Sequence, residues 1–293
     1  ARTLLAMTTT IGEYRAIWMV VFMEQSRVED MLRREMAAWR WRLLPLPHAA
    51  PDGDGTSTPL HPVLLELGRE IDCGPALSSW LRSSFYEFKL EVPFVGLALG
   101  AANNNDGDDD DDAGAATTAI PHVCKLSVLM DTRVNVMASN YMIGLSSWHC
   151  SATWDTEQHT MRCANSHTAA AESRRQLATK TPFGSERGEL AVRYTPSTEQ
   201  YTAAHELAAF GALRDMMASA WVGRSSSRNC HLYDWERTQV RPCAVALECG
   251  SDVFMADDTL LRAGSYASEP LSDANPWGAV EVRAPFRLGT PRD

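Results

Sequence analysis

Short runs of apolar or alternating residues predict that this chain is built mainly from β-strands. Residues 14–23 are rich in β-branched and aromatic residues and predict a buried strand. Residues 85–99 give the clearest alternation, with Tyr86, Phe88 and Leu90 on one face and Glu87, Lys89 and Glu91 on the other. Further strands are predicted at 60–68, 122–131, 146–155, 160–166, 189–194 and 278–288, with a hairpin at 230–235 and 240–249.

Two segments have helical spacing instead. Residues 27–41 follow a capping box at Ser26 and Glu29, and residues 198–220 carry apolar side chains three, four and seven positions apart. With so few helices between the strands, a doubly wound parallel sheet is disfavoured. The pattern predicts an α+β fold, a mostly antiparallel β-barrel or cone with a few packed helices, which can enclose a small ligand.

The whole chain, 1–293, is expected to form one domain, although the pattern leaves open whether 189–293 joins the same barrel or forms a separate lobe. Residues 100–119 contain mainly Ala, Asn, Gly and Asp, so we expect a disordered acidic insertion. Polar loops are expected at 48–59 and 167–188. Residues 69–84 have no clear pattern, and Trp80 is expected to cap an edge of the core.

Composition narrows the classes of partner. The net charge of −10 argues against nucleic acid, which requires a basic surface. No run of 18 apolar residues occurs, so no membrane span is expected. The seven cysteines form no C-x-x-C pair, which favours buried, reduced thiols and a soluble intracellular protein, in the cytoplasm or in an organelle lumen after removal of a targeting segment.

The order of elements resembles the acetoacetate decarboxylase-like superfamily. The resemblance rests on a first strand and a helix ending near a Leu-Pro, on a strand with an aromatic-Tyr-Glu element followed by Val-Pro, and on a following strand that ends in an acidic residue. Residues 136–154 resemble the family's next unit in length, apolar pattern and terminal Trp. The residues concerned are Leu44–Pro47, Phe85–Glu87, Val92–Pro93 and Met130–Asp131.

The resemblance implies a Schiff-base site, but its lysine is replaced. In the family, a desolvated lysine near another cation stays neutral and attacks a keto acid. The matching positions here are Ser146 or Ser147, and serine cannot form an imine. The resemblance implies Glu87 as a cavity carboxylate and a ligand-binding set of Tyr86, Tyr141, Ser146, Ser147 and Trp148.

Lys89 and Lys125 are the only lysines near the expected cavity, and either is a candidate for a relocated Schiff-base lysine if it points inward. The alternative is that both lysines and Glu87 lie on a solvated strand face, which is common for such residues. His149 and Cys150 are neighbours on a strand and face opposite sides, which disfavours a Cys–His pair.

Three functions stay open. The first is a non-catalytic member of this superfamily that binds a small organic acid or carbonyl compound or acts as a scaffold. The second is a decarboxylase-type lyase with Lys89 or Lys125 as the catalytic lysine and Glu87 as acid/base. The third is an accessory subunit of a larger assembly or a homo-oligomer, with some of the nine tryptophans at an interface. No metal or other cofactor is expected, because no ligand spacing or nucleotide-binding motif occurs.

Overall fold

The computed structural model describes residues 10–37, 39–48, 58–97, 120–166, 188–223, 228–251, 253–254 and 261–289. Three helices occur in this part of the chain: α1 (Gln25–Glu35), α2 (Arg133–Ala138) and α3 (Gly211–Ala218). The strands are β1 (Thr10–Glu24), β2 (Trp41–Leu43), β3 (Leu60–Pro75), β4 (Ser83–Leu97), β5 (Pro121–Met130), β6 (Ser147–Asp155), β7 (Thr160–Asn165), β8 (Glu189–Pro196), β9 (Thr202–Ala203), β10 (Ala220–Val222), β11 (Arg228–Tyr233), β12 (Gln239–Cys249), β13 (Gly264–Ser268) and β14 (Val280–Gly289).

Seven of the described strands pair in a closed order, which we call the strand ring. From β4 the pairing passes to β5, β10, β11, β14, β1 and β3, and β3 pairs with β4 again. Five further strands continue from β5 through β6, β7, β8 and β12 to β13, while β2 pairs with β4 and β9 pairs with β12. The β5–β10 and β5–β6 pairings are parallel, so the sheet is mixed. The prediction of a strand-dominated fold with few helices is confirmed.

Both faces of the ring strands are buried. On the inner face, Tyr14 and Trp18 of β1 pack with Leu64 of β3 and with β14. On the outer face, Ile17 and Met19 of β1 pack against the apolar side of α1. Alternate side chains of β1 and β4 therefore enter two different buried regions. In a sheet with one solvated face, they would alternate between a core and water.

A β-bulge in β5 decides which of its side chains face inward. Leu90 pairs with Ser127, but the next residue, Glu91, pairs with Lys125, so β5 carries an extra residue at Leu126. Residues 125 and 128 would face opposite sides of a regular strand. The bulge changes this phase and places Lys125 opposite Glu91, on the inner face.

The predicted helices are shorter than expected. Helix α1 begins at Gln25, which leaves Ser26 inside the first turn, and Glu24 at the N-cap makes no side-chain cap. The capping-box boundary is therefore wrong, as is the extension to residue 41. The predicted helix at 198–220 is wrong over most of its length. Its first part pairs with β12 through β9 and then forms two short 3₁₀ turns before α3, so tertiary pairing overrides the helical spacing.

The predicted hairpin between β11 and β12 is also wrong. Both strands pair with β14, where Tyr233 lies opposite Phe286 and Pro242 lies opposite Val280. Strands β11 and β12 thus pair with successive segments of β14 and not with each other. Strand β3 continues to Pro75, well beyond the predicted end at residue 68.

Trp80 does not cap the core, because its side chain is 81% exposed. Leu77 and Leu81 beside it are exposed as well. The cysteines are all buried, as expected, and each is a free thiol. The expected insertion at 100–119 lies outside the described residues, as do most of the loops predicted at 48–59 and 167–188. Among the described helices, none has the length and apolar character needed to cross a membrane.

We expect Gly68→Ala to destabilise the fold, because a Cβ at residue 68 would lie 2.2 Å from the carbonyl oxygen of Arg15 and 2.5 Å from the Cα of Ala16. These are backbone atoms of β1, and they cannot move without distorting the β1–β3 pairing. The free energy of unfolding, measured by urea denaturation, should fall by about 1–3 kcal/mol or more.

Gly211→Ala is the matched control. A Cβ at this first residue of α3 meets nothing within 4 Å, and the backbone there is helical. This substitution should leave stability unchanged or raise it by up to about 1 kcal/mol. Equal effects of the two substitutions would contradict the close approach of β1 and β3.

Candidate functional site

Six charged side chains project from three neighbouring strands into the strand ring and form what we call the interior charge cluster. They are Glu66 and Glu70 on β3, Glu87, Lys89 and Glu91 on β4, and Lys125 on β5. None is more than 5% exposed. Cross-strand pairing explains their proximity, because Glu66 lies opposite Lys89, and Glu91 lies opposite both Leu64 and Lys125.

The two lysines share one carboxylate. Lys89 Nζ donates to Glu66 Oε2 at 3.3 Å, and Lys125 Nζ lies 4.0 Å from Glu66 Oε1. Each lysine also has a glutamate of its own. Lys89 Nζ is 2.7 Å from Glu87 Oε2, and Lys125 Nζ donates to Glu91 Oε1 at 2.5 Å.

The four glutamates do not share one protonation behaviour. Burial favours the neutral form of Glu66, but Lys89 and Lys125 outweigh it and lower its pKa to about 2. Burial and the neighbouring Glu87 raise the pKa of Glu70 to about 8. Burial and Glu66 likewise raise the pKa of Glu91 to about 8, although Lys125 opposes the shift. Glu70 and Glu91 are therefore largely protonated at neutral pH.

Lys89 stays an ammonium. Burial disfavours its charge, but Glu66 and Glu87 outweigh that cost and raise the pKa of Lys89 well above its ordinary value. With Glu70 and Glu91 neutral, the ammonium group of Lys89 faces the ionised carboxylate of Glu66, and each charge offsets the cost of burying the other.

Aromatic rings surround the cluster. Lys89 Nζ lies 4.5 Å from the centre of the Tyr14 ring, and Lys125 Nζ lies 4.9 Å from that of Trp221. His231 stacks between Trp221 and Tyr233, and Tyr233 meets Trp18 edge-on. Burial, together with Lys125 and Lys89, lowers the pKa of His231 well below its usual range, so this imidazole is neutral.

Three of the residues singled out in the sequence come together here: Glu87, Lys89 and Lys125. The expectation that the polar face of β4 is solvated is wrong, because closure of the ring buries it. Lys89 and Lys125 point inward, which is the condition stated for a relocated lysine.

The five predicted ligand-binding residues lie elsewhere. Tyr86 and Trp148 pack against the outer core, and Tyr141 is 85% exposed. Ser147 is buried and its hydroxyl donates to Ser139 Oγ at 2.8 Å. Ser147 pairs with Val128 of β5, and Val128 in turn pairs with Lys89 of β4. Val128 therefore lies between Ser147 and Lys89 across the sheet. Ser146 is buried beside Ser147, and its carbonyl accepts from the Val128 amide.

Sequence reasoning missed Glu66, Glu70 and Glu91 as members of a site. A signal was available for the first two, since two glutamates four residues apart interrupt an apolar strand and must share one face. Glu91 was assigned to the face of Lys89 but not to a cluster. Among the described residues, no group of three or more His, Cys, Asp or Glu side chains is arranged to hold a metal ion.

Comparisons with known proteins identify similar folds. No family model matches the chain, and no curated protein matches it. Among solved structures, acetoacetate decarboxylase from Legionella pneumophila is similar, with a TM-score of 0.48 and 8% identity over 96% of this chain and 85% of that one. An acetoacetate decarboxylase-like enzyme from Sphingomonas wittichii RW1 gives a TM-score of 0.47 and 11% identity over 97% of this chain and 91% of that one.

A third similar structure is the enduracididine biosynthesis enzyme MppR complexed with pyruvate, with a TM-score of 0.44 and 10% identity over 96% of this chain and 87% of that one. All three TM-scores lie below 0.5 and no identity exceeds 11%, so this likeness carries no statement about the activity of the chain.

The raised pKa of Glu70 predicts a stability effect of Glu70→Gln. The folded state holds the Glu70 proton up to about pH 8, whereas an unfolded Glu releases it near pH 4.3. The neutral carboxyl thus contributes stability at low pH, and this contribution is lost as the pH rises toward 8. Gln remains neutral, so the variant should exceed the wild type by about 1 kcal/mol or more at pH 8 and differ less at pH 5.

Urea denaturation at several pH values measures this difference. Glu236→Gln, at an exposed site, is the control. Its free energy of unfolding should not rise relative to that of the wild type between pH 5 and pH 8. A Glu70→Gln protein with the same pH dependence as the wild type would show that Glu70 is not held neutral.

Proposed function

We propose that this protein binds a small carbonyl compound, of the oxo-acid class, inside the strand ring and holds it as an imine on Lys125. The observation that carries the proposal is the pair of buried lysines that share Glu66, beside carboxyl groups that keep their protons at neutral pH. Perturbed pKa values combined with specific charge partners are typical of functional sites.

Unused hydrogen-bond donors favour an oxygen-rich ligand. The indole Nε1 of Trp18 and that of Trp221 are buried and have no hydrogen-bond partner among the described residues. Both groups can only donate, so they require an acceptor. A carboxylate or carbonyl oxygen supplies one, and leaving such groups unpaired costs about 1–3 kcal/mol each.

Lys125 is better suited than Lys89 to attack a carbonyl group. The raised pKa of Lys89 keeps it protonated and therefore not nucleophilic. Lys125 instead contacts Glu91, whose pKa of about 8 makes it an effective proton carrier near neutral pH. Lys89 then acts as the neighbouring cation.

The proton balance of the reaction is simple. In the reacting form, Lys125 is the neutral amine and Glu91 keeps its proton. The amine attacks the carbonyl carbon, and one proton moves from the new ammonium nitrogen to the oxygen. Glu91 gives its proton to the resulting hydroxyl group, which leaves as water, and the iminium then lies beside the carboxylates of Glu91 and Glu66. No net proton is gained or lost.

A surface cleft offers a route to the cluster. The cleft has a volume of about 860 Å³ and is lined in part by Tyr233, Phe286 and Trp235. Tyr233 and Phe286 are themselves buried members of the inner core, so they form the wall between the cleft and the ring interior. We propose that small molecules enter by displacement of this wall.

Borohydride trapping tests the imine. The protein is incubated with pyruvate, the smallest 2-oxo acid with a ketone carbonyl, reduced with sodium borohydride, digested and analysed by mass spectrometry. The chain has three lysines, Lys89, Lys125 and Lys180, so the peptide map identifies the site without ambiguity. We expect the label on Lys125, and the Lys125→Arg variant, which keeps the charge, should lose it.

Lys180→Arg is the matched control and should be labelled as the wild type is. Label on Lys89 alone would overturn the assignment of Lys125. A wild-type protein that carries no label on any lysine would overturn the imine proposal itself.

A decarboxylase-type lyase is the second candidate, favoured by Glu70 and Glu91. Loss of carbon dioxide from an imine of a 3-oxo acid leaves an enamine, which needs a proton on carbon, and carboxyl groups with a pKa of about 8 can supply it. Release of carbon dioxide from acetoacetate should then exceed the spontaneous rate and fall at least about tenfold in Lys125→Arg. Imine formation without faster release of carbon dioxide would indicate a binding protein and not a decarboxylase.

A further inference from the structure

Three arginines lie side by side on neighbouring strands, and we call them the arginine row. Arg15 of β1 is the direct cross-strand partner of Arg283 of β14 and of Arg69 of β3. Side chains alternate along a strand, so the row lies on the face opposite Tyr14 and the interior charge cluster. Each of the three side chains is partly buried.

Each guanidinium group in the row lies over an aromatic ring. Arg283 Cζ is 3.9 Å from the centre of the Tyr201 ring, Arg69 Cζ is 5.5 Å from that of Tyr86, and Arg15 Cζ is 5.9 Å from that of Trp154. Such stacking occupies the flat face of a guanidinium and leaves its in-plane N–H groups free.

One in-plane N–H of each guanidinium, the Nε–H, is buried and has no partner in the described part of the chain. None of the three forms an ion pair with a described carboxylate. The nearby buried carboxylate of Glu281 is engaged by Arg241, whose Nη2 lies 2.5 Å from it.

This arrangement costs stability. Like charges directly opposite each other on paired strands repel, and buried donors without partners carry a desolvation penalty. The row places two such like-charged pairs next to each other within a chain whose net charge is −10. A fold that keeps three unpaired, partly buried guanidinium groups together is suited to an anion that neutralises them.

We propose that the arginine row is a binding site for a multivalent oxyanion of the phosphate class, and that it best fits a diphosphate group. The guanidinium fork matches the oxygens of a phosphate in a bidentate manner. Neighbouring strands lie about 4.8 Å apart, so the row extends over roughly 10 Å between its outer strands. One phosphate bridges two arginines at this spacing, whereas two linked phosphates reach all three. The site is separate from the Schiff-base proposal and stands without it.

Isothermal titration calorimetry with inorganic pyrophosphate tests the site, with orthophosphate and acetate compared at equal ionic strength. We expect saturable binding of one pyrophosphate, weaker binding of orthophosphate and none of acetate. Arg15→Met, Arg69→Met and Arg283→Met each keep an apolar side chain over the aromatic ring and remove the donors. Each should weaken pyrophosphate binding by about tenfold or more.

Arg33→Met is the matched control. Arg33 is 65% exposed on α1 and forms an ion pair with Asp30, so its loss removes the same charge outside the row and should leave binding unchanged. A second measurement separates binding from folding. Without an anion, the unfolding temperature of Arg15→Met should equal or exceed that of the wild type, since one source of repulsion is gone. At the same pyrophosphate concentration, the wild type and Arg33→Met should be stabilised more than Arg15→Met.

Two results would overturn the proposal. One is the absence of saturable pyrophosphate binding to the wild type. The other is an equal loss of affinity in Arg33→Met and Arg15→Met, which would reduce the effect to general electrostatic attraction.

Discussion

The carboxylate of Glu66 is the contact on which the interior of this protein depends. It lies between the Nζ atoms of Lys89 and Lys125 in a buried region, where a charged lysine without a carboxylate partner would be costly. The same two lysines keep the pKa of Glu66 low, while its negative charge contributes to raising that of Glu91. One carboxylate therefore sets the protonation of its neighbours, and the chemistry proposed for Lys125 follows from that balance.

The pairing of the backbone strands determines where the charged side chains lie. The bulge in β5 turns Lys125 to the inner face, opposite Glu91. The parallel pairing of β5 with β10 brings the ring of Trp221 beneath Lys125 Nζ. Closure of the strand ring then buries a face that would be solvated in an open sheet. The outer face of the same strands carries the arginine row, so each of β1 and β3 separates two charged environments.

The positions of most strands along the chain were predictable from the apolar pattern, as was the division of β4 into an apolar and a charged face. The burial of that charged face was not, because it depends on pairings between β14 and β1 that join distant parts of the chain. Lys125 could not be assigned to a face, since a bulge leaves no mark in the apolar pattern. The helix predicted at 198–220 failed for a related reason, because β9 pairs with β12 before α3 begins.

Infrared spectroscopy of the carboxyl groups, recorded from about pH 5 to pH 9, tests the central claim most directly. The account predicts that the wild-type protein retains two protonated carboxyl bands at neutral pH, that both disappear near pH 8, and that Glu70→Gln and Glu91→Gln each remove one. A protein whose carboxyl groups have all ionised by about pH 6 would contradict it. The interior cluster would then hold more negative than positive charge, and Glu91 would have no proton to give to the departing hydroxyl group.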